Sequence, residues 1–365
     1  MGPMIVVDLF PREYIGRAMS IYTWSLGAGT VFGPLISGYM AQGTNSWRYP
    51  YYLFGGVSIL NLVAIVAMFP EPNMNILMRA PSAGVAEIVE TGRDKTETLS
   101  HIEKSEGRSR AVSVSTAEIW YTRSFYSRIY HNHPPPNWLI LFFTPWRVIL
   151  TPAVLLTVIL FGIAISSTMA TSIVVSVVLS EPPTLWDSAT IGLFNIAVLM
   201  GLIVGVPFGG LLADRAVNRY ARKTGKRKIE IPLLIASATA LVSPVGIILA
   251  GVGLERGWHW ALIGLFWGML NFVLTSACTI MISYSTVTYP QHAIDIGVMV
   301  NTIKNVLAGG LSFVAVNWWF ESRARMFGTL GGLELGLLLL IIPLYIWGAK
   351  LAILSEKWVR GFEVY

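Results

Sequence analysis

The chain has 365 residues, of which 54% are hydrophobic and 13% charged, with a mean hydropathy of +0.61 and a formal net charge of +6. A soluble domain of that length carries roughly a quarter charged residues, so this composition excludes an ordinary water-soluble protein and reads as an integral membrane protein. The single cysteine, Cys278, excludes an intrachain disulfide and a thiolate metal cluster.

In chain order, MGPMIVVDLF reads as the last turns of a helix, and it lacks the basic region and cleavage site of a signal peptide. Eight apolar runs of the length a bilayer core requires follow, at 18–40, 49–69, 148–179, 189–213, 231–253, 259–286, 293–319 and 327–349. Between the second and third lies a polar stretch, 70–147, rich in Ser, Thr, Pro and both charge signs, which reads as a cytosolic linker with little core of its own. Within it, residues 119–138 alternate aromatics with Arg123 and Arg128, a pattern that suits the cytoplasmic leaflet. Ser113 and Ser115 are candidate phosphorylation sites, and no metal site is expected from His131 and His133.

Basic residues set the orientation. Of the 26 Lys and Arg, all but Arg48, Arg256, Arg323, Arg325 and Lys304 fall in 8–17, 70–147, 215–228 or 350–365, which alternate along the chain and are therefore cytoplasmic. Trp47, Trp186, Trp258, Trp260, Trp318 and Trp319 cluster at the opposite edge, where indole rings favour the interface. Membrane topology thus accounts for the positive charge, and no nucleic-acid partner is expected.

Two spans carry small-residue stripes at a spacing of four. Ser25, Gly29, Gly33 and Ser37 share one face of the first, which also contains Pro34; Gly201, Gly205, Gly209 and Ala213 share one face of the fourth, with Pro207. Such faces let two backbones approach closely in lipid. Each proline removes a helical N–H and favours a bend.

GAGTVFGPLISG resembles the Gly-x-x-x-Gly-Pro signature on the fifth helix of antiporters of the major facilitator superfamily, matching at Gly29, Gly33, Pro34 and Gly38 and departing at Ser20 and Ser37. GGLLADRAVNRYARKTGKRK resembles the superfamily's Gly-x-x-x-Asp-Arg loop after the eighth helix, matching at Gly210, Asp214, Arg215 and Arg219, with Val217 where glycine is usual. DLFPREYIGRAMS resembles the turn between its helices four and five, while LSEPPTLWDSATIGL and VNTIKNVLAGGLSF are similar to fungal drug and metabolite exporters. The resemblance implies an all-α membrane bundle of eight full transmembrane helices plus the end of another, helices four to twelve of a twelve-helix fold, and so an N-terminally truncated member. Its parts would be a remnant of the N-terminal half at 1–69, the linker at 70–147, a complete six-helix C-terminal half at 148–350 and a cytoplasmic tail at 351–365.

The function implied is transport of a small organic molecule, drug or metabolite, by alternating access. Proton-coupled export by a monomer in the plasma membrane is the leading reading, with no enzymatic activity and no cofactor. A non-transporting remnant and a nutrient uptake carrier stand as alternatives. An intramembrane enzyme would need a nucleophile and base, or paired carboxylates, at one depth, and the spans offer neither.

For the site, Asp214 is expected to accept hydrogen bonds from the helix N-terminus near Ile294, with Arg215 or Arg219 pairing to Asp295, and Arg17 and Gly210 beside them, as a cytoplasmic gate. The substrate cavity is expected to hold Lys304 with Asn301 and Asn305, Trp267 with Asn271 and Thr275, and Ser167, Thr168, Thr171 and Ser172. The two glycine stripes are expected to face each other. Asp295 and Glu334 both fall close to helix ends, so no coupling acid is assigned.

Overall fold

In a bilayer the backbone has no water to bond, and helices satisfy their own amides. The computed structural model describes residues 2–10, 14–68, 138–182, 184–225 and 228–360, and no strand occurs among them. The residues of the expected linker up to 137, with its aromatic–Arg segment, Ser113, Ser115, His131 and His133, lie outside the described residues, as do Arg12, Lys226 and Arg227. The chain divides into two units, and all that follows concerns the one formed by Met1–Val63 and Trp138–Tyr365. Of the other, Ala64–Asn137, only the last residues of one helix are described.

The helices are α1 (Gly2–Leu9), α2 (Ile15–Thr44), α3 (Arg48–Met68), α4 (Trp138–Val148), α5 (Pro152–Ser180), α6 (Ser188–Phe194), α7 (Ile196–Val206), α8 (Ala213–Thr224), α9 (Ile231–Ala240), α10 (Val242–Glu255), α11 (Trp260–Thr275), α12 (Ala277–Thr288), α13 (Ala293–Glu321) and α14 (Arg323–Arg360). Among the described residues, six stretches are long and apolar enough to cross a membrane: Pro152–Ser180, Ser188–Thr224, Ile231–Glu255, Trp260–Thr288, Pro290–Glu321 and Arg323–Gly348. Helices α2 and α3, of 30 and 21 residues, occupy the first two expected spans.

Two expected boundaries move outward for a local reason. The helix that begins at Ser188 does not stop at 213 but continues through α8, whose Ala, Arg and Lys residues favour helix. Asp214 lies in the first turn of α8 and Arg222 and Lys223 in its last, as the helix dipole favours. Gly225 ends it at φ 68°, its N–H donating to Ala221 O at 2.9 Å. Likewise α14 runs on to Arg360 through Pro343, past the expected start of a tail at 351, and its Ser355 hydroxyl meets that of Tyr289 at 2.6 Å.

The core gathers around α5, which buries side chains on every side and has α13 lying along it. Helix α11 packs on α7 and α10, and α14 on α10, α5 and α9. Two irregularities meet inside this packing. Pro207 opens a six-residue π-helical turn, Pro207–Leu212, and Ser276 breaks α11 from α12 at φ −101°, ψ −87°. A proline cannot supply the amide that α geometry needs, which gives the first break its cause.

Candidate functional site

The glycine stripes do not meet. A Cβ added at Gly201 would run into the Gly268 backbone, one at Gly205 into Thr275 Oγ1 and Phe272 O, and one at Gly209 into Thr275 O. The second stripe therefore packs against α11. On α2, by contrast, a Cβ at Gly29 or Gly33 would meet nothing within 4 Å, and Ser25 and Pro34 are exposed. Helix α2 instead packs through Ser20, Gly27, Val31 and Gly38: Gly27 lies under Leu202, and Gly38 crosses α6 at Ser188 O and the Gly192 Cα. Residues 27 and 29 lie about 200° apart around a helix, so the packed face is a different one from that expected. Of the motif, Gly38 and the carbonyl of Pro34 lie at the close crossing with α6, the latter 3.0 Å from a Cβ built on Gly192.

Both ends of α2 are tied to the long helix Ser188–Thr224. At one end Asp214 Oδ1 accepts from Gly16 N–H at 3.1 Å and Oδ2 from Arg17 N–H at 3.0 Å, with Arg17 Nε 3.8 Å from Oδ2. The expected role of Asp214, capping a helix N-terminus, is present, but the helix it caps is α2 and not the one near Ile294. Gly210 completes this contact, since a Cβ there would lie 2.6 Å from Ser20 Oγ and 3.1 Å from the Arg17 Cα. Asp295 pairs with His292, Nδ1 to Oδ2 at 3.2 Å, while Arg215 and Arg219 are exposed and make no ion pair among the described residues. A cavity of about 170 Å³ opens beside the cap, lined by Ile15, Gly16, Asp214, Val217 and Tyr284.

At the other end Asp187 accepts from the Thr190 hydroxyl and from the Gln42 side-chain amide. The Thr190 hydroxyl, and with it Gln42, holds the exposed Asp187 carboxyl below its ordinary value of 3.8. A lowered carboxyl contributes fully above that ordinary value and loses its contribution as the pH falls below it. Spin labels at Gly43 and Glu181 should therefore give a narrow distance distribution at neutral pH that broadens below about pH 4. Asp187→Asn should remove the pH dependence; broadening that persists in that variant would show that another group is responsible.

Midway along the spans a polar layer is buried between α5 and α11. The Thr168 hydroxyl donates to Asn271 Oδ1 at 3.2 Å and to Ala164 O at 3.0 Å, and Asn271 Nδ2 donates to Trp267 O at 2.9 Å. Trp267 stacks at 5.6 Å on Phe194, which meets Trp186 edge-on at 5.7 Å, while its indole N–H is buried without an acceptor. Thr275 turns toward α7 and donates to Leu202 O at 2.7 Å, and Thr171 donates to Ser167 O at 2.7 Å in its own helix. The structure thus brings Trp267, Asn271 and Thr168 together and gives Thr275 and Thr171 backbone partners.

Lys304 is buried, at 8% exposure, and apart from its supposed companions. Its Nζ lies 5.3 Å from the Phe161 ring centroid on α5, and it makes no ion pair among the described residues. Asn301 donates to Gly297 O at 2.8 Å and bonds Tyr22 of α2, and Asn305 is exposed. A second cavity, about 1070 Å³, is an apolar groove between α7 and α11 walled by Phe194, Met200, Val204, Phe208, Leu265 and Phe272.

Glu334 is a buried acid that sequence reasoning misses. It is 4% exposed and stands well inside α14, about 16 Å along the axis from Arg323. The signal is nonetheless present: Phe327, Leu330, Glu334, Leu338 and Ile341 follow a buried seam of helical spacing in which one position is acidic.

The Major Facilitator Superfamily model matches residues 1–313. The chain is 24% identical over 180 residues to protein HOL1 of Saccharomyces cerevisiae, covering 49% of this chain and 31% of that protein. It is 23% identical over 351 residues to an uncharacterized MFS-type transporter of Schizosaccharomyces pombe, covering 86% and 58% respectively. It is also 23% identical over 370 residues to a probable efflux pump, mfs2, of Aspergillus flavus, covering 96% and 77%. The matches thus span between about a third and three-quarters of these relatives' lengths.

Proposed function

The chain belongs to the Major Facilitator Superfamily, whose members are transporters and not enzymes, and from that premise we propose that it moves a small amphipathic organic molecule by alternating access. The chain is a multi-pass integral membrane protein. In this reading α2 to α14 correspond to helices five to twelve of the twelve-helix plan and α1 to the end of helix four. The Asp214 end faces the cytoplasm, the direction is export, and protons are the coupling ion. The plasma membrane is the proposed location and the monomer the working unit.

The observation that carries the reading is the Trp267 indole N–H, buried without an acceptor one turn from Asn271, which in turn bonds Thr168. A buried, unspent donor costs about 1–3 kcal/mol, a cost relieved when a ligand supplies an oxygen to it. The aromatic wall of Phe194 and Trp267 would take the apolar part of the same ligand. Asp187 and Asp214, at opposite ends of α2, are the proposed gates.

The full chain in proteoliposomes should accumulate fluorescein or ethidium against its gradient when a pH gradient is imposed. Transport of neither dye would reject this reading for amphipathic probes of both charges. Trp267→Phe keeps an aromatic ring and removes the donor, so it should raise the apparent KM about fivefold, equivalent to about 1 kcal/mol. An unaltered KM would remove Trp267 from the site.

A further inference from the structure

We propose that Glu334 is a proton-binding site, with the proton carried on Oε1 and directed at the Ser167 hydroxyl, at the junction of α14, α10 and α5. This assignment deepens the reading of proton-coupled transport, although the site itself is argued from its own geometry.

Three helices bring their middles together here. Ser243 stands midway between Ile231 and Glu255, Ser167 at the centre of Pro152–Ser180, and Glu334 toward the middle of Arg323–Gly348. At about 1.5 Å per residue, each lies about 16 Å or more from the nearer end of its span, near the middle of a hydrocarbon layer about 30 Å thick. The Ser243 hydroxyl donates to Glu334 Oε2. Glu334 Oε1 and Ser167 Oγ are both buried without a hydrogen bond of ordinary length, and the Ser167 side chain lies close enough to act on the Glu334 carboxyl.

The two unpartnered atoms can be joined in either protonation state, by Ser167 donating to an ionised Oε1 or by a proton on Oε1 donating to Ser167 Oγ. In the second case Oε2 stays the acceptor for Ser243. An ionised carboxylate at this point would be held by two neutral hydroxyls alone, and burial of such a charge in apolar surroundings is opposed by a large desolvation cost.

No charged group bonds the carboxyl from any neighbouring helix among the described residues. Helix α5 contributes no ionisable side chain at all, and α10 ends in Glu255 far from its middle. From α12, Cys278 lies within electrostatic reach of both Glu334 and Lys304, and Tyr284 lies lower, beside Gly348, with Glu230. From α13 the cation is Lys304, held over Phe161. On α14 itself, Arg323 and Arg325 sit at the first turn and Lys350 beyond the apolar stretch. Lys304 and Glu334 thus occupy the same bundle without pairing. That arrangement fits a carboxyl that carries its own proton instead of borrowing a counter-charge.

The route to the substrate is short. Ser167 adjoins Thr168, which bonds Asn271 in the polar layer, so the proton site and the proposed substrate layer share one turn of α5. Release of the proton would leave an anion between three apolar helices and favour a looser packing of α14 on α10 and α5, which is how a proton could drive the conformational cycle.

The test is infrared difference spectroscopy on the full chain in lipid nanodiscs across a pH titration. At neutral pH the wild type should show the C=O stretch of a protonated carboxylic acid. Glu334→Gln, which keeps the acceptor for Ser243, should abolish that band, and Ser243→Ala and Ser167→Ala should each shift its frequency. Absence of the band, or its persistence in Glu334→Gln, would overturn the site. The serine variants supply the assignment should the Gln variant not fold, because they perturb the same band in a protein that keeps Glu334. In proteoliposomes, Glu334→Gln should lose dye accumulation driven by a pH gradient and retain dye exchange at equal pH; unchanged accumulation would overturn the coupling. A wild type that shows the band but moves no dye would reject the transport reading and leave the proton site standing.

Discussion

Alanine at Gly201 is expected to destabilise the protein by about 1–3 kcal/mol, whereas alanine at Gly29 or Gly33 should be neutral or stabilise by up to about 1 kcal/mol. The four-residue repeat is the same in both stripes, but their surroundings are opposite. At Gly201 a methyl group would meet the carbonyl, C and Cα of Gly268, all backbone atoms of α11, which cannot swing aside as a side chain can. Relief requires α7 and α11 to separate, and that loosens the contacts of Leu202, Trp267 and Leu270 around them. At Gly29 and Gly33 the same methyl enters open space and brings alanine's higher helix propensity. Thermal unfolding in detergent, followed by intrinsic fluorescence, reads the contrast. Equal midpoints for the Gly201 and Gly33 variants would reject the packing described for both helices. Valine at Gly201 should lower the midpoint further, because its branched carbons extend the same collision.

Removal of the Asp214 carboxylate is expected to free the start of α2. In Asp214→Ala the N–H groups of Gly16 and Arg17 both lose their acceptor at a helix N-terminus, a loss of about 0.5–2 kcal/mol, to which the lost charge on the helix dipole adds. The readout is a cysteine at Ser20, a position fully buried against Gly210. Its alkylation by a membrane-impermeant maleimide should rise about tenfold, corresponding to about 1.4 kcal/mol, with Asp214→Asn intermediate because one oxygen remains. Cys278, with no exposure, gives a silent background. Unchanged alkylation of Ser20→Cys in Asp214→Ala would show that the cap does not hold α2 in place.

Helix positions are legible in the sequence because hydropathy is a local property. The expected spans at 231–253, 259–286 and 293–319 lie within a few residues of the stretches Ile231–Glu255, Trp260–Thr288 and Pro290–Glu321. The pairing of faces is not legible. Helix α2 offers small residues on more than one side, Gly27 and Gly38 as well as Gly29 and Gly33, and only the partner helix selects among them. Asp214 shows the same division: an acid near a helix end implies a cap, but chain spacing does not say which of several N-termini it reaches, and Gly16 lies 198 residues away. In the candidate site, Trp267, Asn271 and Thr168 are recoverable from spacing and the resemblance. Lys304 and Asn305 are adjacent in the chain and point in different directions, as successive positions on a helix must. Glu334 escapes a reading that takes its span to start at 327, because the helix in fact begins earlier, at Arg323, and carries the acid deeper.

The two ties on α2 make it a strut fastened at both ends to a single antiparallel mast. The anchors Asp187 and Asp214 stand one residue further apart along the mast than Gly16 and Gln42 do along the strut. A π turn is a helix that has taken in one extra residue, and the turn at Pro207–Leu212 lies between the anchors. The extra residue of the irregular turn matches the one-residue difference between the two anchor spacings. Deletion of one residue inside the turn should spare both fastenings, and deletion elsewhere along either helix should throw one end out of step by about 1.5 Å and 100°.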